Sequence, residues 1–229
     1  VNADKLETME RSDLDDPPTV VQQDGTQEWR KDGKLHRDND KPAVVMTGGT
    51  RKWYKDGKLH RENDQPAVIW ADGSRLWFRA GKFYREDDLP TVILSDGTRE
   101  WWRDDKLHRD NDRPARIWED GTEEWYKDGL RHRDNGRPAV FQKGGVQEWW
   151  KDGERHRENN QPAIILSDGT KEWYREGRRH CDGDHPAVIR ANGLRKWYKF
   201  GRLHRDKDQP AVIRPDGTQE WWEYGNRVK

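Results

Sequence analysis

Apolar and polar residues follow one another along this chain in a pattern that returns every 24 residues. In a representative stretch, Pro66-Ala67-Val68-Ile69-Trp70 is a short β-branched run that opens on a proline, where a sheet donor is dispensable. Ala71-Asp72-Gly73 reads as a turn, because Asp-Gly suits the positive φ of a tight hairpin. Residues 74–79 form the return strand and carry Trp77 and Phe78, Ala80-Gly81 makes a second turn, and residues 82–85 give a brief third extended piece. The loop 86–89 then leads to Pro90 and the next unit. The pattern predicts two or three strands of about four to six residues per unit. Helix is not expected in the array, since Gly or Pro recurs too often for one to run.

The register is strict. Tryptophan falls at 29, 53, 77, 101, 125, 149, 173, 197 and 221; histidine at 36, 60, 108, 132, 156, 180 and 204, with Tyr84 in the one gap; proline at 18, 42, 66, 90, 114, 138, 162, 186 and 210. Such a period means one supersecondary unit stacked on itself. The expected fold is all-β, an elongated repeat array of antiparallel β-hairpins. Residues 1–12 are expected to be a tail or cap, with Asn2 or Asp4 capping a short helix over 5–11. Residues 13–225 hold about nine units. The last unit is read as stopping after Trp221-Trp222 without its His-Arg segment, which leaves 226–229 as a C-terminal tail.

Composition sharpens this reading. The chain is 38% charged and 30% hydrophobic, which alone leans toward disorder. Its 14 tryptophans, and 44 basic residues balanced by 44 acidic ones, argue instead for a folded chain with a narrow core. Zero net charge leans against a nucleic-acid or anionic-membrane binder, which needs a basic surplus. A single cysteine, Cys181, stands where other units have arginine; this excludes a disulfide framework and favours a reducing, cytoplasmic setting. No apolar run approaches the roughly 20 residues of a spanning helix.

Neighbouring strand residues point to opposite faces, so the two aromatics at each return strand cannot both be buried in a one-sided sheet. The invariant tryptophans are expected inside, with the valines and isoleucines. The second row, Tyr54, Phe78, Trp102, Tyr126, Trp150, Tyr174 and Tyr198, either packs on the other face or forms an exposed ridge that grips a glycan, a quaternary ammonium or a partner chain. In each His-Arg pair the arginine would repel its stacked copies unless acids alternate with it. Acids follow directly (Asp38, Glu62, Glu86, Asp110, Asp134, Glu158, Asp182, Asp206) and two residues later (Asp40, Asp64, Asp88, Asp112, Asp184, Asp208), so an arginine is expected to bridge to the next unit's acid.

A shared metal site is not expected. Histidines of neighbouring units would lie roughly 10 Å apart, two strand spacings, far beyond coordination at about 2 Å. The Asp-Asn-Asp clusters at 38–40 and 110–112 lack the ligand series of a calcium loop. No Ser, Cys or carboxylate pair stands apart from the period, so neither a catalytic residue nor a cofactor is expected.

The segment YKDGKLHR, residues 54–61, resembles the membrane occupation and recognition nexus (MORN) repeat. Tyr54, Gly57 and His60 match that motif's aromatic, glycine and histidine, and Asp72-Gly73 its closing hairpin. The period is 24 rather than 23, and arginine follows histidine where the family has glycine. The resemblance spans about 13–225 and implies a twisted sheet of hairpins used for scaffolding, self-association or membrane attachment. Similar 24-residue arrays are associated with large DNA viruses, which adds the virion or infected host cell as a location. A looser resemblance, in the aromatic dyad and the Asp-Gly hairpin, is to Trp-Tyr solenoids that bind choline or cell-wall sugars. The leading expectation is a non-catalytic scaffold that presents a long charge-patterned surface to a protein partner or to itself. The alternative is a glycan or quaternary-ammonium binding module.

Overall fold

A computed structural model describes residues 16–229; the expected N-terminal tail or cap and its short helix lie outside them. The described residues divide into two compact units, one reaching to Asp105 and the other Lys106–Lys229. Among the described residues both are all-β, with no helix.

Each unit is an antiparallel meander of two-residue strands. In the first, Val20–Val21, Gln27–Glu28, Val44–Val45, Arg51–Lys52, Val68–Ile69, Arg75–Leu76, Val92–Ile93 and Arg99–Glu100 pair in succession. In the second the run extends from Arg116–Ile117 to Gln219–Glu220 by the same rule. Every inner strand therefore pairs with its own hairpin mate and with the neighbouring repeat. Lys52 faces Val44 on one side and Val68 on the other.

The strands are shorter than the pattern predicts because the return strand breaks at its tryptophan. Trp77 N–H leaves the ladder and donates to Thr91 O of the next repeat at 2.9 Å. Beyond that break, Phe78–Arg79 pairs with Lys82–Phe83 in a second small hairpin. Its turn residues, Ala80 and Gly81, both have positive φ (52° and 85°), as a two-residue I′ turn requires. Asp105 takes the glycine position of that turn at φ 58°. The wider first turn differs from expectation. Only Gly73 is left-handed there (φ 89°), while Asp72 accepts the Ser74 N–H at 2.8 Å. Small hairpins of successive repeats are joined by single backbone bonds, such as Gly57 N–H to Leu35 O and Gly153 N–H to Arg131 O.

Residues 226–229 continue the period rather than forming a tail. Asn226–Arg227 pairs with Trp222–Glu223, and Val228 N–H donates to Trp221 O, as histidine does in the other repeats.

The core is thin and periodic. Seven of the nine tryptophans are buried, together with fully covered alanines (Ala43, Ala67, Ala115, Ala139, Ala163, Ala187, Ala211) and the first residue of each aliphatic pair, such as Val44, Val68 and Val140. Trp173 and Trp221 are half-buried. Withdrawing an indole from water removes on the order of 150–250 Å² and contributes about 4–6 kcal/mol. One such residue per repeat gives a highly charged chain the apolar burial it needs.

Candidate functional site

The most elaborate cluster of side chains lies at the junction between repeats. At several junctions the loop that opens the repeat places an aspartate in the left-handed region: Asp40 at φ 55°, Asp64 at 52°, Asp112 at 54°. Asp and Asn tolerate this conformation better than most residues. With the backbone so turned, the Asp40 carbonyl accepts the Trp53 indole N–H at 2.9 Å. Its carboxylate takes Arg61 in a two-pronged pair, Nε to Oδ1 at 2.7 Å and Nη2 to Oδ2 at 2.8 Å. The Arg61 guanidinium lies 3.9 Å over the Trp53 ring, and its Nη1 donates to Pro66 O at 3.2 Å. One aspartate thus clamps the tryptophan and the arginine of the following repeat.

Similar pairs join Arg85 to Asp64, Arg133 to Asp112 and Arg205 to Asp184, and Arg37 reaches Asp16 through Nε. Lys229 fills the arginine slot opposite Asp208 at 3.0 Å. The acid belongs to the preceding repeat, 21 residues back, so the expected direction of the bridge is reversed. These are not ordinary surface pairs, since the arginine side chains are 5% to 14% exposed. Bonding to Arg61, Arg133 and Arg205 holds the Asp40, Asp112 and Asp184 carboxyls below their usual range, against the opposing effect of burial.

The histidines tie the same junction on its other side. His60 Nδ1 accepts the backbone N–H of Ala80, 20 residues on, and Nε2 lies 2.8 Å from Glu62. His36 and His132 sit between two carboxylates each, Asp38 with Asp56 and Asp134 with Asp152. Bonding to these rings lowers the carboxyls of Asp38, Glu62 and Asp134. Tyr84 takes the histidine position and reaches Glu86 at 3.4 Å. Among the described residues no group of three or more His, Cys, Asp or Glu side chains is arranged to hold a metal ion.

The second aromatic row is not an open ridge. Tyr54, Phe78, Trp102, Tyr126, Trp150, Tyr174 and Tyr198 are all half-buried. A row of inward glutamates, which the pattern did not signal, holds many of their polar ends. Tyr126 O–H donates to Glu124 at 2.8 Å, Trp150 Nε1 to Glu148 at 2.9 Å and Tyr174 O–H to Glu172 at 2.9 Å. Burial first, and then these carboxylates, raise the phenols of Tyr126 and Tyr174.

In the second unit arginines complete the row. Arg131 lies 5.8 Å from the Tyr126 ring and 5.2 Å from Trp150, and Arg155 lies 4.9 Å from Trp150 and 5.7 Å from Tyr174. Burial alone would lower the Arg131 guanidinium, but Glu124 and Tyr126 outweigh it and raise it. Arg116, an intruder in a valine slot, faces Glu124 across the sheet at 3.5 Å. In the first unit the equivalent of Arg131 is Leu35, Leu59 or Phe83, and Phe83 stacks between Phe78 (4.3 Å) and Trp102 (5.2 Å).

Two consecutive junctions depart from the clamp. Where Asp112 would recur stands Gly136, in the same left-handed conformation (φ 65°) and still accepting Trp149 Nε1 on its carbonyl at 2.8 Å. Arg157 keeps its place 3.7 Å over Trp149 and its bond to Pro162 O, but no carboxylate meets it. Burial alone lowers its guanidinium. At the next junction both charges are gone. Asn160 accepts from Cys181 Sγ at 3.1 Å and from Asp182 N–H at 2.9 Å, and burial pushes the Cys181 thiol up to about 11.

The other face of the sheet carries a different set of side chains. Cross-strand register puts Val45, Arg51, Ile69, Arg75, Ile93 and Arg99 on one face in the first unit. The three arginines are exposed. In the second unit the corresponding polar positions are Glu123, Gln147, Lys171, Arg195 and Gln219. No helix among the described residues is long and apolar enough to cross a membrane. The chain matches no protein-family model and no curated protein.

Proposed function

We propose that the protein is a non-catalytic repeat scaffold, and that the outer sheet face of its first unit receives an acidic, extended protein segment. The observation that carries this reading is the stripe of Arg51, Arg75 and Arg99, set between Val45, Ile69 and Ile93 by the strand register. Successive arginines stand about two strand spacings apart, roughly 10 Å. All three are exposed, so their charge is available to a partner. The non-catalytic part is supported by the use of the His, Arg and Asp ladders, which join one repeat to the next. The likeness to MORN repeats at Tyr54, Gly57 and His60 agrees with a scaffold role, and Cys181 as single cysteine agrees with an intracellular setting. A glycan or quaternary-ammonium site on the second aromatic row is the weaker reading, because in the second unit arginines and glutamates crowd those rings.

Fluorescence anisotropy with a labelled peptide of alternating Glu and Ile tests the proposal. Binding should weaken steeply with salt and fall at least tenfold in the R51E/R75E/R99E protein. Equal binding of a Gln-Ile peptide, or no effect of the charge reversal, would overturn it.

A further inference from the structure

The junction at Gly136 is the one place in the second unit where the clamp keeps its arginine but loses its acid. The neighbouring junctions serve as a template. In them Nη1 of the arginine is held by a proline carbonyl, while Nε and Nη2 take the two oxygens of one carboxylate, as in Arg133 with Asp112 and Arg205 with Asp184. Arg157 reproduces the fixed part of this arrangement: the stacking on Trp149 at 3.7 Å and the bond from Nη1 to Pro162 O at 3.1 Å. Its Nε–H and Nη2–H point from the same half-buried guanidinium and meet no acceptor among the described residues.

The volume of the missing side chain is also open. A Cβ built on Gly136 would meet nothing within 4 Å. The position opens into a cleft of about 270 Å³ whose charged lining is mainly cationic, with Arg133, Arg137, Lys151 and Arg157 against Asp134 and Glu158. Several of these charges are paired: Arg133 and Arg137 with Asp112, and Lys151 with Glu158. Arg157 is the one left uncompensated. A guanidinium pinned flat on an indole has lost most of its rotameric freedom, so a ligand that meets its fork gives up little further entropy.

We propose that Arg157 and the space above Gly136 form a binding site for a carboxylate supplied from outside the repeat, which takes the two-pronged position that aspartate fills in the regular junctions. A planar carboxylate satisfies Nε–H and Nη2–H together, as the repeat's own aspartates do. The site reads the carboxylate alone, so an acidic side chain of a partner and a small free acid share its chemistry.

The test is NMR of the arginine Nε–H groups in the full chain, titrated with sodium acetate against sodium chloride at equal ionic strength. The Arg157 resonance, assigned by its loss in R157Q, should move downfield and saturate with acetate, and should not respond to chloride. In G136D it should start at the shifted position and no longer respond. A non-saturating shift equal to that in chloride would overturn the site, as would an unchanged response in G136D or tighter binding of inorganic phosphate than of acetate. Acetyl-glutamate amide distinguishes the sources: at least tenfold tighter binding than acetate indicates a partner's side chain, and equal binding a small acid. G136D that unfolds would leave R157K, read from the indole N–H of Trp149 beneath residue 157, which should keep the charge yet weaken acetate at least fivefold by losing the fork.

Discussion

The junction around Asp40 and the two junctions around Gly136 and Asn160 carry the same backbone and different chemistry. In all three the loop residue is left-handed and its carbonyl holds the next tryptophan's N–H. At Asp40 a carboxylate then locks Arg61 over Trp53, and Trp53 is buried. At Asn160 the arginine is replaced by Cys181, no guanidinium stacks on the indole, and Trp173 is only half-buried. The loop conformation and the indole bond are therefore enough to maintain the stacking register. The arginine adds cover over the tryptophan, even at Gly136 where Arg157 has no carboxylate partner, and the ion pair adds local stability to that cover. A repeat array tolerates one weakened junction because each repeat contacts only its neighbours.

This difference can be broken at its centre. Trp77→Ala, at an intact clamp, should cost about 3–5 kcal/mol in urea unfolding, the range for large core truncations. Trp173→Ala should cost roughly half as much, since less of the ring is covered. Equal costs would mean that the guanidinium cover contributes nothing. Removing the clamp charge alone is the next largest effect. Arg61→Gln should destabilise by about 2 kcal/mol, and Asp40→Asn by somewhat less, because Asp40 is the more exposed partner. In the double variant the losses should fall short of their sum.

The reverse change should strengthen the weak side. Restoring both charges with N160D and C181R should raise stability by about 1 kcal/mol, whereas N160D alone should give no gain. Alkylation of native Cys181 should be slow at pH 8, since burial holds the thiol protonated up to about 11.

Acid should erase the contrast. The carboxyls of Asp40, Asp112 and Asp184 are lower in the folded protein than in the unfolded chain, so their contribution is present above the ordinary value of 3.8 and is lost as pH falls through the lowered folded values. Circular dichroism against pH should show R61Q and the parent converging in stability as pH falls below about 4. A gap that persists to pH 2 would rule out the ion pair as its source.

Much of the fold was legible because it rests on positions that the period repeats. Asp72-Gly73 announced the first turn, Ala80-Gly81 the second, and Trp77 the core. Other features depend on three-dimensional facts that a period cannot carry. Asp64 follows Arg61 by three residues and precedes Arg85 by 21, and both spacings fit a 24-residue repeat, so only the stacking shows that it belongs to Arg85. The inward glutamates were hidden because Glu124 beside Trp125 reads as solvated charge until the sheet folds it under Tyr126. The extra break at each tryptophan was hidden as well, since Trp77-Phe78 looks like uninterrupted strand. One signal at the site was readable: the aspartates at 16, 40, 64, 88 and 112 resume only at 184, leaving gaps at Gly136 and Asn160.

The most direct test of the clamp is a double-mutant cycle at the junction that lacks it. Gly136→Asp should stabilise the protein by about 1 kcal/mol, the gain from a paired guanidinium exceeding the left-handed cost of a side chain. In the Arg157→Gln background the same substitution should destabilise by about 1 kcal/mol, a coupling of roughly 2 kcal/mol measured by chemical unfolding. An effect of Gly136→Asp that is the same in both backgrounds would contradict the claim that a loop carboxylate and the next repeat's arginine stabilise the junction between repeats.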